Sequence, residues 1–368
     1  MIRPVILDKL RHILPLACCL AMAFSVRAAP AADQPNIIPA SDARFRYEGR
    51  FDFGDPGAPV VIWQASRITI DFDGVAAALL FADARDQSFF NAEIDGHTTI
   101  VELVAARPAV GATFANLGAG RHRLSLFKRS EASAGTVRFL GIELPPGGRA
   151  WAPAQPAYKL AMLFVGDSIT AGACSEDGAS DQWVDRRTHN NAVSYGAFTS
   201  AAFSADYHNY AISGMGVSTG WTSIKAGEFW DRVYPDAKSP RANLLRWIPN
   251  VVFVNLGEND DSFTRAHQQP FPAGYTDGYV ALIGAIRGAY PSARIVLLRG
   301  GMFGGSQSAP LIRSWEAAVS RLEATDPLVS HFAFRHWTSN HPRASDHRAM
   351  ADELVAWLRA QDFMRPYL

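Results

Sequence analysis

The sequence predicts a two-part fold, an antiparallel β-sandwich followed by a three-layer α/β/α domain built on a parallel sheet. Three observations carry this. Residues from about 44 to 143 form short β-branched runs separated by turn residues, the rhythm of a sandwich. Residues 144–158 are dense in Pro and Gly, which suits a semi-rigid connection. Beyond them, apolar runs alternate with longer amphipathic stretches, as in a parallel sheet covered by helices on both faces.

The elements follow in order. At the N-terminus, Arg3, Lys9 and Arg11 precede an apolar segment from Ile13 to Val26 and then small residues, the layout of a cleavable export signal over residues 1–28. The segment is short for a membrane span and is interrupted by Pro15, so export without an anchor is expected. The sandwich is assigned to residues 37–146, with candidate strands at Val60–Ile62, Arg67–Ile70, Ala78–Phe81 and Thr98–Val101. Asp95-Gly96 marks a hairpin between two such runs. After the connection at 147–158, the second domain (159–368) is expected to hold strands near 160–165, 208–212, 251–256, 294–298 and 331–335. Its helices are expected near 192–204, 275–289, 310–324 and 343–360.

Composition limits the partners. Of 368 residues, 48% are hydrophobic, enough for a large core, and 35 basic residues balance 35 acidic ones. No basic field recruits nucleic acid or anionic lipid. Cys18 and Cys19 fall in the leader, leaving Cys174 alone, so the mature chain is expected to have no internal disulfide. The oligomeric state is not fixed by these features.

Four blocks carry chemistry. Gly166-Asp167-Ser168-Ile169-Thr170 delivers a serine from a buried strand to a turn, and Ser213-Gly214-Met215-Gly216, Leu256-Gly257-Glu258-Asn259-Asp260 and Asn340-His341-Pro342 follow. Ligands bind beyond the carboxyl ends of parallel strands, where all four would meet. Ser168 is the candidate nucleophile and His341 its base, because a serine hydroxyl needs a proton acceptor to attack a carbonyl at neutral pH. The Ser168 and Gly214 backbone N–H groups and the Asn259 amide are candidate oxyanion donors. Singly, each motif also suits an ordinary cap or turn; it is their ordered combination that points to catalysis. His331, His336, His341 and His347 are spaced by five, five and six residues, which does not make the i, i+4 pair of a zinc helix, so neither metal nor cofactor is expected. Pro342 places His341 at the start of the final helix, and His347 is read as packing.

In this order the blocks resemble those of the SGNH hydrolase superfamily, and the chain looks like carbohydrate esterase family 2 within it. Features of that narrower resemblance are the two-domain order, Asn255-Leu256-Gly257 before Asn259-Asp260, and His341-Pro342 with His347 after it. The resemblance implies a jelly-roll sandwich and an SGNH domain. It also implies a serine esterase removing O-acetyl groups from plant polysaccharides such as xylan or glucomannan. Two positions depart from the pattern. The superfamily's usual aspartate, three residues before the histidine, is Thr338 here, which implies a Ser-His dyad with the imidazole oriented by a backbone carbonyl; Asp346 is not expected to substitute. Glu258 replaces a small or hydroxylated residue and is expected to alter the polarity of the acceptor site. Candidate substrate contacts are Asp260, Trp337 and Phe303, with Trp221 and Trp230 as further stacking platforms. The alternatives are a carbohydrate-binding protein with little or no activity, and a lipase or thioesterase of the same superfamily.

Overall fold

The computed structural model describes residues 34–105 and 110–368; the export signal expected over 1–28 lies outside them. Among the described residues no helix is long and apolar enough to cross a membrane. Residues 35–368 form one compact unit.

Its first part is all β, with β1 (Asn36–Pro39), β2 (Arg46–Glu48), β3 (Phe51–Asp52), β4 (Val60–Val61), β5 (Arg67–Asp73), β6 (Ala76–Ile94), β7 (His97–Val104), β8 (Val110–Ala115), β9 (Arg121–Lys128), β10 (Gly135–Leu144) and β11 (Ala150–Trp151). The long strand β6 joins the two sheets. Its first half pairs with β8 and β10, its second with β7 and β9. Between the halves, Asp83 and Asp86 adopt positive φ, which turns the strand from one sheet into the other. Asp95 and Gly96 both have positive φ in the tight β6–β7 hairpin, as a two-residue turn of the primed type requires. The Pro/Gly-rich segment after β10 is drawn into the sandwich, since Ala150 and Trp151 pair with Phe72 and Asp71 of β5.

The second part holds five parallel strands, β12 (Ala161–Gly166), β13 (Asp206–Ala211), β14 (Val251–Asn255), β15 (Arg294–Met302) and β16 (Val329–Thr338), in the order β13-β12-β14-β15-β16. Strand β12 shows why they bury both faces. Leu163 and Val165 enter one core, and Met162 and Phe164 the other. The first core is covered by α3 (Ala226–Phe229), α5 (Tyr275–Ala289) and α7 (Ala309–Glu323); the second by α2 (Tyr195–Ala202) and α8 (Ala344–Arg359). Three short or polar helices, α1 (Ser168–Ala171), α4 (Glu258–Ala266) and α6 (Phe303–Gln307), follow β12, β14 and β15 directly. The sandwich shares the first core: Ile62, Trp63 and Ala132 belong to it, and the Trp63 indole donates to Val233 O at 2.7 Å.

Helix α4 is the longest of the helices that hydrophobic periodicity misses, the others being α1, α3 and α6. Its residues, ENDDSFTRA, are polar, but Glu258, Asp260 and Asp261 fill its first turn and Arg265 its last, an arrangement that suits the helix dipole. Helix α8 begins at Ala344 rather than at Pro342, because Asp346 accepts from the Arg343 N–H at 2.9 Å and fixes the cap there. His341 therefore stands on the loop before the helix.

His347 is fully buried in α8 and accepts from the Tyr195 N–H at 3.2 Å through Nδ1. Burial pushes its pKa down to about 3, and burial together with Arg50 and Arg67 does the same to His208. In an unfolded chain both return to about 6.5. Below that pH the unfolded state binds protons that the native state does not, so stability is lost as pH falls from about 6.5 toward about 3, by up to ~1.4 kcal/mol per pH unit for each histidine. The urea midpoint is expected to drop across this window, with a shallower slope in His347→Gln. Equal slopes in the two proteins would remove His347 from the account.

Candidate active site

The four sequence blocks converge at the carboxyl ends of the parallel strands. Gly166 ends β12 in register with Ala211 of β13 and Asn255 of β14. The sheet reverses its order across β12 and β14, and such a switch point opens a crevice between the connections leaving the strands. Ser168 opens α1 just beyond it. Asp167 caps this helix through an Ile169 N–H bond of 3.1 Å, and Gly172 closes it in the left-handed conformation, so the serine sits on a rigid four-residue turn.

Ser168 Oγ lies 2.8 Å from His341 Nε2, and His341 Nδ1 lies 2.6 Å from Asp181 Oδ2. The expected dyad is thus corrected to a Ser168–His341–Asp181 relay. The carboxylate comes from the loop after α1, whereas the Thr338 hydroxyl donates to Asn340 O at 2.6 Å. Asp181 Oδ2 also accepts the His341 backbone N–H at 3.1 Å, and Arg343 Nη1 donates to Asp181 Oδ1 at 2.8 Å and to His341 O at 2.8 Å. Burial alone would raise the Asp181 pKa, but the hydrogen bonds from His341 and Arg343 outweigh it and hold the carboxyl well below the usual range. It stays ionised, as an acid that must stabilise an imidazolium should.

Asp346 is occupied elsewhere, through His336 Nε2 at 2.9 Å and the Arg343 N–H. Asp346→Asn is therefore expected to keep kcat within about twofold while lowering stability by up to ~1 kcal/mol through the weakened cap. A large loss of turnover in the folded variant would make Asp346 the acid instead.

Among the described residues the backbone N–H groups of Ser168 and Gly214 donate no hydrogen bond. Gly214 has φ +81° and lies against Trp221 and Thr222, where a β-carbon would come within 3.2 Å. Asn259 is brought to the same place, but its amide nitrogen also braces its neighbours, donating to Met215 O at 2.9 Å and Asp167 Oδ2 at 3.2 Å. Burial, reinforced by the charge of Glu258, raises the Asp167 pKa well above the usual carboxylate range.

Two acids behind the site have roles other than those expected. Asp260 is fully buried, and its carboxylate accepts the Val217, Ser218 and Thr219 N–H groups at 2.7–2.9 Å. It shapes the loop after Gly214 and has no free oxygen to offer a substrate. Glu258 turns from the acceptor side toward α6, where its two oxygens accept from the Gly304 and Gly305 N–H groups at 2.9 and 2.8 Å. A β-carbon on Gly304 would lie 2.9 Å from that carboxylate.

Phe303 and Trp337 meet edge to face, 6.2 Å between centroids, at the carboxyl ends of β15 and β16, each a little over a third exposed. Trp221 is 55% exposed and its backbone N–H donates to Gly214 O at 2.7 Å. Trp230, expected as a platform, is instead core, because α3 carries its indole into the cluster around Val165 and Tyr290. Trp183, missed in the sequence, packs edge-on against His341 at 5.1 Å from the same loop as Asp181. The free Cys174 is buried beside this loop. With Asp181 and His341 it could surround an ion, but the Arg343 guanidinium already occupies the Asp181 carboxylate.

Comparison with known proteins matches both parts of the fold. Residues 47–156 match the family described as carbohydrate esterase 2 N-terminal, and residues 164–360 match the GDSL-like lipase/acylhydrolase family. The chain is 30% identical to the cellulase/esterase CelE of Acetivibrio thermocellus, over 90% of its own length but only 40% of that protein's. It is 25% identical to an acetylxylan esterase/glucomannan deacetylase of Cellvibrio japonicus, covering 81% of this chain and 84% of the relative. A family two carbohydrate esterase from Clostridium thermocellum, solved with cellohexaose, superimposes with a TM-score of 0.75 at 28% identity, covering 86% of this chain and 98% of that one. Matched over more than half of its length, the chain belongs to the GDSL-like lipase/acylhydrolase family, and across both parts it resembles the family 2 carbohydrate esterases.

Proposed function

We propose that this protein is an exported serine esterase that removes O-acetyl groups from plant polysaccharides such as xylan and glucomannan. The observation that carries the reading is the continuous hydrogen-bonded chain from Ser168 through His341 to Asp181, beside two backbone N–H groups with no internal acceptor. Ser168 Oγ attacks the acetyl carbonyl as its proton passes to His341 Nε2, and Asp181 stabilises the resulting imidazolium. The oxyanion is held by the Ser168 and Gly214 N–H groups, with Asn259 sharing its amide. His341 then gives that proton to the departing sugar oxygen, takes one from the water that attacks the acetyl-enzyme, and returns it to Ser168 Oγ as the Oγ–acyl bond breaks and acetate leaves.

The substrate class rests on the relatives named above and on the exposed aromatic faces of Trp183, Trp221, Phe303 and Trp337, which suit the apolar faces of sugar rings. A non-catalytic binding role draws some weight from Thr338 at the usual acid position, and the contact of Asp181 with His341 supports the esterase reading against it. The test is acetate release from acetylated xylan, glucomannan and defined acetylated oligosaccharides. Tight glycan binding with no acetate from any of them would replace the esterase by a binding protein.

A further inference from the structure

The sandwich grips the loops that carry the catalytic groups. Directly after β9, Arg129, Ser130 and Glu131 are all buried. Glu131 crosses to the second domain, where Oε2 accepts both the Ser213 N–H at 2.9 Å and the Ser213 hydroxyl at 2.7 Å. Ser213 immediately precedes Gly214. The other carboxylate oxygen lies 3.5 Å from Arg186, on the loop that brings Asp181 and Trp183 to His341. Arg129 pairs with Glu176 at the start of that loop, and Gln87 of β6 takes hold of it at Val184 O and the Arg186 N–H, at 2.7 and 3.0 Å.

A buried carboxylate is costly unless its charge and lone pairs are satisfied. Here the satisfaction is partial and local, since Oε1 has no hydrogen-bond partner and meets only Arg186 across 3.5 Å. The Lys128 ammonium, held by Ile62 O, Gly135 O and Glu131 O, lies buried next to it, and two bonds from one serine absorb Oε2. The loop from Ser213 to Thr219 is therefore pinned at both ends, by Glu131 from the sandwich at its entry and by Asp260 from α4 at its exit. Gly214 is left between the two anchors with its N–H free.

We propose that Glu131 is a positioning residue for the oxyanion hole, so that the β-sandwich is a working part of the catalytic centre and not an appended module. The inference rests on Gly214 acting as an oxyanion donor in the esterase reading above. Preorganised donors act on the transition state and hardly on the bound ester, and that difference gives the test.

In the full-length chain, Glu131→Gln is expected to lower kcat about 10- to 100-fold with KM for an acetylated oligosaccharide within about twofold. Affinity for an alkyl boronic acid, whose tetrahedral adduct on Ser168 mimics the oxyanion, is expected to fall by the same factor as kcat. Ser213→Ala removes only the hydroxyl bond and carries the test if Glu131→Gln does not fold; about a three- to tenfold loss in kcat is expected at constant KM. Unchanged kcat and boronate affinity, or a loss confined to KM, overturns the positioning role while leaving the esterase intact. A wild-type chain that releases no acetate overturns the esterase reading and this inference with it.

Discussion

Ser168→Ala is expected to lower acetate release by at least about 10⁴-fold while leaving the fold and oligosaccharide affinity unchanged. The hydroxyl is the group that becomes acylated, and nothing nearby replaces it. Cys174 is buried and its thiol is pushed far up by burial and by the charges of Asp181 and Asp177, so it supplies no thiolate. His341→Ala is expected to cost about as much, because nucleophile and base act as one unit and removing either disables both. A double variant should then be little worse than either single one. The measurement is kcat/KM on an aryl acetate and on acetylated xylan, with thermal unfolding and glycan binding as controls. Turnover within about tenfold of wild type in folded Ser168→Ala would move the nucleophile elsewhere and dissolve the relay.

Much of this site was legible because its parts are local. Ser168, Gly214, Asn259 and His341 each follow a strand within a few residues, and strands with continuous apolar runs such as Leu160–Val165 are easily read. Parallel order then forces their carboxyl ends together. Phe303 and Trp337 lie at the same edge of the sheet for the same reason. The errors came where a side chain's direction is decided by long-range packing. Asp260 and Glu258 look like site residues because they flank Asn259, but on a helix successive side chains point about 100° apart, and only Asn259 reaches back to Asp167. Trp230 could not be told from an exposed platform because core and surface tryptophans look alike in a sequence.

The relay's acid was illegible for a different reason. The loop after α1 contains Asp177, Asp181 and Asp185, all in polar surroundings. Asp177 closes the loop on Gln182 N–H and Thr188, and Asp185 caps Arg187. Only Asp181 is left to reach across 160 residues of sequence to His341. No local pattern distinguishes it, and Thr338, standing where an acid is expected, draws attention to the wrong part of the chain.

Asp181→Asn is accordingly expected to reduce kcat/KM by about 10³- to 10⁴-fold, most of it in kcat. The asparagine keeps the shape but offers an amide to His341 Nδ1, which favours the tautomer with its proton on Nε2 and deprives Ser168 of its acceptor. The size of that loss separates the relay from a dyad, in which the acid's removal would cost little. The charge of Asp181 matters as well as its shape. Because His341 and Arg343 hold Asp181 ionised well below the usual carboxylate range, its own titration does not limit the wild-type enzyme at mildly acid pH. Removing the adjacent negative charge makes the imidazolium harder to form during proton transfer, which adds to the loss in kcat. Arg343 should then make matters worse, since its guanidinium remains beside a neutral amide and a histidine that must become cationic. Removing it as well, in Asp181→Asn/Arg343→Gln, is expected to recover part of the lost kcat. An Asp181→Asn enzyme within about tenfold of wild type would return the mechanism to a serine–histidine pair and reduce Asp181 to a loop brace.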